Sequence, residues 1–492
     1  MHSWPRHPLI YEINTWIWLD EMSRQYQRPL TLATLPAAEW DRIAAAGFDA
    51  VWLMGVWERS PAGIAIALRN PGLVADFHRS LPDFTPSDNV GSPYCVRSYS
   101  VDPHLGGPTG LAHARAMLRE RGIRLILDFV PNHVAPDHPW VRDHPDYFIR
   151  GSRDDARQDP SSFVEIDDQV FARGRDPHYP AWHDVLQLNA FHPGLRQATI
   201  DTLDHIAAQC DGIRCDMAML LLDPIFHRTW SARAGDPPAE RYWSHLIAST
   251  RAHWPDFKFI AEAYWDTEWE LQQQGFDHCY DKKLYDRMEH GDSEGIRQHL
   301  QADLAYQQGM LRFIENHDEA RAATTFTDGM HRAAAVMLLT LPGAKLLHEG
   351  QLEGRKIRPS VFLARRPPEP IDTDLADFYQ RLLAATRCDV FRNGHWTLCH
   401  PQGWPDNSSY QHIVCSCWTL GEDRYLAVVN FHPHPAQAHV QLPWDELRGK
   451  PWRLADTLSH ESHLRAGDTL RDEGLHLELH PWQAQLFHLQ PQ

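Results

Sequence analysis

Short apolar runs recur along the first 350 residues, and stretches with helical spacing of apolar positions lie between them. The segment 110–122, for example, has apolar residues at helical spacing and ends at Gly122, a common helix C-cap. Eight strands are predicted in this region, at residues 9–16, 50–54, 124–129, 212–216, 258–262, 276–280, 312–316 and 344–348. Repeated β-then-α units of this number predict the α/β class and a closed (β/α)8 TIM barrel.

Two parts of the chain depart from this pattern. Residues 134–195, after the third strand, are rich in Asp, Pro, Gly and Arg and are too long for a simple connection, so we expect a small inserted lobe there. After about residue 388, short alternating runs between turn residues predict a C-terminal antiparallel β domain. The predicted division is a catalytic barrel of residues 1–133 and 196–388, the lobe 134–195, and a β-sandwich domain of residues 389–492.

Composition narrows the class of protein. The 492 residues include 47 Lys and Arg against 65 Asp and Glu, a net charge of −18, which disfavours a nucleic-acid or anionic-membrane partner. No run of 18 apolar residues predicts a membrane span, and the N-terminus lacks a signal-peptide pattern. The eight cysteines form no CxxC pair, so zinc-ribbon spacing is absent, and we expect them to be reduced thiols. We therefore expect a cytoplasmic protein, and its oligomeric state stays open.

Three carboxylates follow predicted strands, namely Asp216, Glu262 and Asp318. Polar groups at the C-terminal ends of barrel strands form the active site in this architecture. Arg214 lies two residues before Asp216, on the same side of the strand, and its charge would favour the ionised carboxylate that a nucleophile needs. A structural Arg–Asp ion pair is the alternative interpretation of these two residues.

Glu262 is followed by two aromatic residues, Tyr264 and Trp265. Rings beside a carboxylic acid reduce its solvation, raise its pKa and keep it protonated for general acid catalysis. A helix-cap or turn carboxylate is the alternative. One ionised nucleophile and one protonated acid/base are the equipment of a retaining glycosidase.

His133 and His317 stand at the polar ends of two predicted strands, where neutral imidazoles would bind sugar hydroxyls. A His/Asp/Glu metal centre is the competing hypothesis, although no HxH or HExxH pair occurs at these ends. Tyr94, presented by a Gly/Pro turn, is the candidate platform for stacking against a sugar ring.

Four segments, in order along the chain, are similar to the four conserved regions of glycoside hydrolase family 13, the α-amylase superfamily: DFVPNH (128–133), GIRCDMAML (212–220), FIAEAYWD (259–266) and FIENHD (313–318). Weaker similarities extend over nearly the whole chain, which is identified as a divergent member of the family.

The resemblance implies a role for each matching residue. Asp216 would be the nucleophile, Glu262 the acid/base, and Asp318 the third carboxylate, which binds ring hydroxyls. Substrate-binding positions are implied at Tyr94, His133, Arg214 and His317. α-Glucosidic substrates are implied, no cofactor is required, and Asn132 is a candidate calcium ligand.

The chain also departs from the family pattern. Met219 and Leu220 stand where Lys-His is usual, and His192 replaces a common Asn. We expect these three residues to line the region that sets a different aglycone preference. The sequence leaves open a transglycosylase using the same residues, a non-catalytic carbohydrate-binding protein and a metal-dependent barrel hydrolase. It also leaves open the linkage, the chain length and endo or exo action.

Overall fold

The computed structural model describes residues 3–459 and 461–492. Its centre is a closed barrel of eight parallel strands, in which each strand pairs with the next in chain order and β8 pairs with β1. The barrel strands β1 to β8 are Leu9–Asn14, Ala50–Met54, Arg124–Phe129, Gly212–Cys215, Lys258–Ala261, His278–Tyr280, Met310–Arg312 and Ala344–His348. The predicted TIM barrel is confirmed.

The strands of the barrel are apolar because both of their faces are covered. All five residues of β2 are buried, for instance, and so are all five of β8. The prediction for β7 was wrong in position, since the strand comprises residues 310–312 and not 312–316. Phe313 and Ile314 are buried but have left the ladder.

Helices connect the strands, and several are capped by side chains. The helix Pro193–Ala207 begins with a proline at its first position, and His192 caps it through Nδ1. The α-helices are Thr15–Gln25, Ala37–Ala45, Pro61–Arg69, Pro71–Ser80, Gly107–Glu120, Trp140–Asp143, Arg153–Gln158, Pro193–Ala207, Asp223–Trp230, Tyr242–His253, Glu268–Gln273, Lys282–Glu289, Ser293–His299, Leu304–Gln308, Ala322–Thr325, Asp328–Thr340, Thr373–Thr386, Val390–Asn393 and Gly467–Asp472.

Two long excursions leave the barrel at its C-terminal end. The one after β3 contains a two-stranded pair, His133–Val134 with Leu186–Gln187, and a hairpin, Phe163–Ile166 with Gln169–Ala172. This excursion has a small apolar cluster of its own, which includes Val141, Phe148 and Phe171. The sequence analysis did not predict the other excursion, in which a hairpin of Trp57–Arg59 and Val96–Val101 flanks two helices between β2 and β3.

The C-terminal part contains nine antiparallel strands among the described residues. They are β9 to β17, at His395–Cys399, Pro401–Gln402, Ile413–Leu420, Asp423–Asn430, Ala436–Val440, Pro451–Asp456, Ser462–Ala466, Leu475–Leu479 and Ala484–Pro491. One sheet has the order β9-β11-β12-β17-β14-β15 and the other the order β10-β13-β16. The predicted antiparallel β domain is confirmed, while its boundary stays a prediction. Trp418 ties it to the barrel, because its Nε1 donates to the carbonyl of Thr340 at 2.7 Å.

In the part of the chain that the structure describes, no helix combines the length and the hydropathy that a bilayer crossing requires.

Candidate active site

Strand register brings two of the candidate carboxylates together. Cys215 of β4 is opposite Ala261 of β5, so the next residues, Asp216 and Glu262, leave neighbouring strands at the same level. The N–H of Glu262 still donates to the carbonyl of Cys215 at 3.0 Å, and the N–H of Asp216 donates to Phe129 at 2.8 Å. Both carboxyl groups are therefore fixed by the barrel ladder.

Arg214 lies between these two carboxylates. Its Nη1 donates to Oδ1 of Asp216 at 2.9 Å, and its Nη2 lies 2.8 Å from Oε2 of Glu262. The second contact is an ion pair without hydrogen-bond alignment, since Nη2 makes no hydrogen bond in the described residues. The guanidinium is 1% exposed and is surrounded by the rings of Trp52, Tyr94 and Tyr280, with its carbon 5.1 to 5.6 Å from their centroids. One buried cation thus serves both acids.

The two carboxylate oxygens of Asp216 differ in their contacts. Oδ1 is bound by Arg214, but Oδ2 is buried without a hydrogen-bond partner among the described residues. Its neighbour is Nε2 of His133, at 3.9 Å. Burial raises the pKa of Asp216 to about 6, although the charge of Arg214 acts in the opposite direction. The group is ionised at neutral pH.

Glu262 is held at both oxygens. Oε1 accepts a hydrogen bond from the Tyr264 hydroxyl at 3.0 Å, and Oε2 accepts one from the backbone N–H of Met217 at 2.5 Å. Burial raises the pKa of Glu262 to about 7, against the effect of Arg214, so protonated acid is available near neutrality. The predicted aromatic neighbour is Tyr264 alone. Trp265 is 39% exposed, and its ring packs at 4.7 Å on His178.

The third candidate carboxylate belongs to a chain of contacts through His317. Nε2 of His317 lies 2.9 Å from Oδ2 of Asp318 and 2.6 Å from the Tyr94 hydroxyl, and Nδ1 lies 2.5 Å from Oε1 of Glu12. Burial lowers the pKa of His317, but Asp318 and Glu12 outweigh it and raise that pKa to about 10. Desolvation by the surrounding protein raises the pKa of Asp318, whose side chain is still 43% exposed, and His317 outweighs this effect and lowers that pKa to about 2. The sequence analysis did not single out Glu12.

His133 faces the same cavity from the end of the third strand. Its ring packs against Trp182 with centroids 5.1 Å apart, and burial lowers its pKa to about 4, so the imidazole is neutral.

Asn132, the candidate calcium ligand, has its side-chain oxygen bound by Nε2 of Gln187 at 2.9 Å. The residues described contain no group of three or more His, Cys, Asp or Glu side chains placed to hold a metal ion. The side-chain oxygen of Asn132 is therefore already occupied by a protein donor.

One cavity of about 590 Å³ is lined by five of the candidate residues, whereas Arg214 and His317 lie behind its wall. Tyr94, His133, Asp216, Glu262 and Asp318 line it, while Arg214 lies buried behind the two acids. Residues missed by the sequence analysis complete the wall, among them Ile66, Asn70, Leu73, Asp176, Tyr179, Trp182, Met217 and Phe362. Most of them belong to the two excursions, whose long-range packing no local pattern reveals. The only available signal was the density of aromatic and acidic residues around 176–184.

The three residues expected on the aglycone side do not line the cavity, so that prediction was wrong. Met219 and Leu220 are buried in the short turn Ala218–Leu221 and do not line the cavity. His192 caps the helix Pro193–Ala207 through Nδ1, and its Nε2 lies 3.3 Å from Oδ2 of Asp146. Met217 lines the cavity instead, because the left-handed turn at this residue (φ +45°) directs the chain away from the barrel after Asp216.

A closed barrel with three carboxylates at the C-terminal ends of its strands is the arrangement of a TIM-barrel enzyme. Within that class, residues 39–357 match the family model described as alpha amylase, catalytic domain. This match covers more than half of the chain, which therefore belongs to the α-amylase family.

Individual relatives are distant. The chain is similar to the α-amylase MalA of Haloarcula japonica, with 24% identity over 453 residues that make up 90% of this chain and 57% of that protein. It is 27% identical to an α-1,4-glucan:maltose-1-phosphate maltosyltransferase of Bifidobacterium longum over 46% of this chain and 25% of that one. The chain thus spans little more than half the length of the Haloarcula relative. A maltogenic α-amylase of Thermotoga neapolitana shares the fold, with a TM-score of 0.68, 18% identity and 98% of each chain covered.

Proposed function

We propose that this protein is a retaining α-glycosidase that acts on α-glucosides or α-glucans. The observation that carries the proposal is the arrangement of Asp216 and Glu262 on one guanidinium, with Oδ2 of Asp216 left without a partner at the cavity. An unsatisfied buried carboxylate oxygen is costly in a merely structural residue, and it is what a nucleophile requires.

In the first step, Oδ2 of Asp216 attacks the anomeric carbon while Glu262 gives its proton to the leaving glycosidic oxygen. A covalent glycosyl-enzyme ester forms, and the aglycone leaves as an alcohol. The pKa of Glu262, raised to about 7, supports its role as the acid. The opposite order, with Glu262 as nucleophile, is disfavoured because both of its oxygens already accept hydrogen bonds.

In the second step, Glu262 takes a proton from water, and the water oxygen attacks the anomeric carbon from the face that the aglycone left. The ester bond to Asp216 breaks, and the acid/base is protonated again. Two inversions give net retention of the α configuration.

The remaining polar groups would bind the sugar. Asp318 would accept hydrogen bonds from ring hydroxyls, and Tyr94 would stack on the ring. The neutral imidazole of His133 would contact sugar hydroxyls. Both ring nitrogens of His317 already contact protein groups, so this residue would act on the sugar through Asp318 and Tyr94, while Arg214 orients Asp216. The common exposure of Tyr94, His133 and Asp318 to one cavity supports these roles.

A transglycosylase is the second candidate, because some relatives are named as maltosyltransferases. It would use the same residues, with a sugar hydroxyl or another acceptor in place of water in the second step. Only products distinguish it from a hydrolase, since the first step is shared.

The test is a panel of maltooligosaccharides, isomaltose, trehalose, sucrose and amylose, with and without an added acceptor sugar. NMR follows the anomeric configuration of the first product, and Glu262→Gln serves as the control. An α-configured product that the variant fails to release supports the proposal and identifies the linkage, and longer oligosaccharides without net hydrolysis favour the transferase. A β-configured first product contradicts the retaining mechanism. Binding without turnover would indicate a carbohydrate-binding protein.

We also infer a cytoplasmic location, on the ground that the eight cysteines are free thiols and seven of them are buried. Thiols in this number are typical of a reducing compartment.

A further inference from the structure

We propose that Glu12 is a positioning residue of the active site, which keeps His317 doubly protonated and thereby holds Asp318 and Tyr94 in place for the sugar. The inference rests on the proposed function, but part of its test does not need turnover. Glu12 lies in β1, on the far side of His317 from the cavity, and is completely buried.

The His317 ring lies between two acids. Nδ1 faces Oε1 of Glu12 at 2.5 Å, and Nε2 faces Oδ2 of Asp318 at 2.9 Å. The Nδ1 contact is a hydrogen bond, whereas the Nε2 contact with Asp318 is an ion pair without hydrogen-bond alignment, and Nε2 also lies 2.6 Å from the Tyr94 hydroxyl. Direct contact with one acid at each nitrogen favours the imidazolium, in which both nitrogens carry a proton. Such charge-assisted contacts are shorter and stronger than neutral ones.

The environment gives this charge little other support. The edge-to-face ring of Trp52 packs on His317 at 5.5 Å, and solvent reaches only 4% of the residue. The charged and titratable groups that face His317 from the surrounding strands and loops are Glu12, Asp318, Tyr94, Asp128 and His348. Of these, only Glu12 and Asp318 are acids in direct contact with the ring.

A purely structural residue at this position would not need to be an acid. Oε2 of Glu12 is buried and has no hydrogen-bond partner among the described residues. Glutamine has the same shape and would keep the contact from Nδ1 without the desolvation of a carboxylate. The acid is explained by its effect on the charge of His317, and through His317 on Asp318 and on the Tyr94 hydroxyl at 2.6 Å.

The experiment compares Glu12→Gln with the wild type in two measurements. NMR of ¹⁵N-labelled histidine rings should report a doubly protonated His317 at pH 7.5 in the wild type and a singly protonated ring in the variant. Turnover of a maltooligosaccharide should lose about tenfold or more in kcat/KM, chiefly through KM, because Asp318 and Tyr94 bind the sugar in both ground and transition states. Asp281→Asn is the control for loss of a buried acid, since Asp281 is as buried as Glu12 and contacts His299 and Arg312 outside the cavity.

A double-mutant cycle distinguishes positioning from folding. If Glu12 acts through His317, Glu12→Gln should cost little further activity in a His317→Gln background. An equal loss in both backgrounds, or an unchanged His317 ring in Glu12→Gln, would overturn the inference. If the wild type turns over no α-glucoside, the proposed function fails, and the protonation of His317 in the two proteins still decides whether Glu12 controls its charge.

Discussion

The backbone N–H of Met217 lies 2.5 Å from Oε2 of Glu262, across the ends of β4 and β5. The residue that follows Asp216 is thereby bound to the other candidate catalytic acid. Together with Arg214, which contacts both carboxylates, this bond makes the two groups one rigid unit.

Replacing Asp216 by Asn should abolish the nucleophile with little change of shape. We expect kcat on a maltooligosaccharide to fall by about a thousandfold or more, or roughly 4 kcal/mol of barrier. Steady-state kinetics measures the loss. Asp211→Asn is the control, because Asp211 precedes the same strand at its opposite end, where it contacts Arg115. A loss of less than threefold in Asp216→Asn would refute the assignment.

Replacing Glu262 by Gln should produce a loss that depends on the leaving group. Substrates that leave as sugar alcohols need a proton and should slow by about 10²- to 10⁴-fold. α-Glucosyl fluoride, whose leaving group needs little protonation, should lose much less in its first step. Burst-phase kinetics on both substrates gives the comparison, and equal losses would remove Glu262 from the role of acid.

The pH dependence follows from the two raised pKa values. Below about pH 6 Asp216 takes up a proton and loses nucleophilicity, and above about pH 7 Glu262 loses the proton it must donate. The profile of kcat/KM should therefore be a narrow bell centred between these values. In Glu262→Gln the alkaline limb should disappear for α-glucosyl fluoride. A wild-type profile flat from pH 5 to 9 would contradict this account.

Arg214→Met should destabilise the fold in a pH-dependent manner. Without the guanidinium, two buried carboxylates lose their counter-charge, which costs about 3–5 kcal/mol. The folded-state pKa values of both acids are already raised, so folding favours their protonated forms and loses stability as pH rises through 4 to 7. Thermal melts should show a larger decrease of Tm at pH 8 than at pH 5. Arg42→Met replaces a side chain that is 66% exposed, so it should change Tm neither at pH 5 nor at pH 8.

Removal of divalent cations should leave the protein unchanged. The side-chain oxygen of Asn132 is already bound by Gln187, and no acidic cluster adjoins it in the described residues. Dialysis against a chelator should shift Tm by less than about 1 °C, with activity retained. A rise of Tm on adding calcium chloride would reveal a site elsewhere, and metal-dependent recovery of activity would revive the metal-hydrolase hypothesis.

The strand-end chemistry was predictable because it is local. The spacing of apolar residues, the turn residues and the terminal carboxylate occur together in short segments, so all eight strands could be predicted from the sequence. The predicted position of β7 was too far along the chain, because Phe313 and Ile314 are apolar like strand residues. Arg214 and Asp216 were paired correctly because strand geometry alone puts residues two apart on one side.

The cavity wall was not predictable from such patterns. Met219 and Leu220 were expected at the cavity from their distance along the chain, but the turn after Asp216 buries them and exposes Met217 instead. Glu12 shows the same limit, since its importance depends on His317, which lies 305 positions away. The single acid within the apolar run LIYEIN was the one local indication.

The most direct test of the central claim is to trap the glycosyl-enzyme. The protein is incubated with 5-fluoro-α-glucosyl fluoride, digested and analysed by mass spectrometry, with Asp216→Asn in parallel. We predict one sugar adduct per chain, on the peptide that contains Asp216, and none in the variant. An adduct on another residue, or turnover of an α-glucan to a β-configured product without any adduct, would contradict the account.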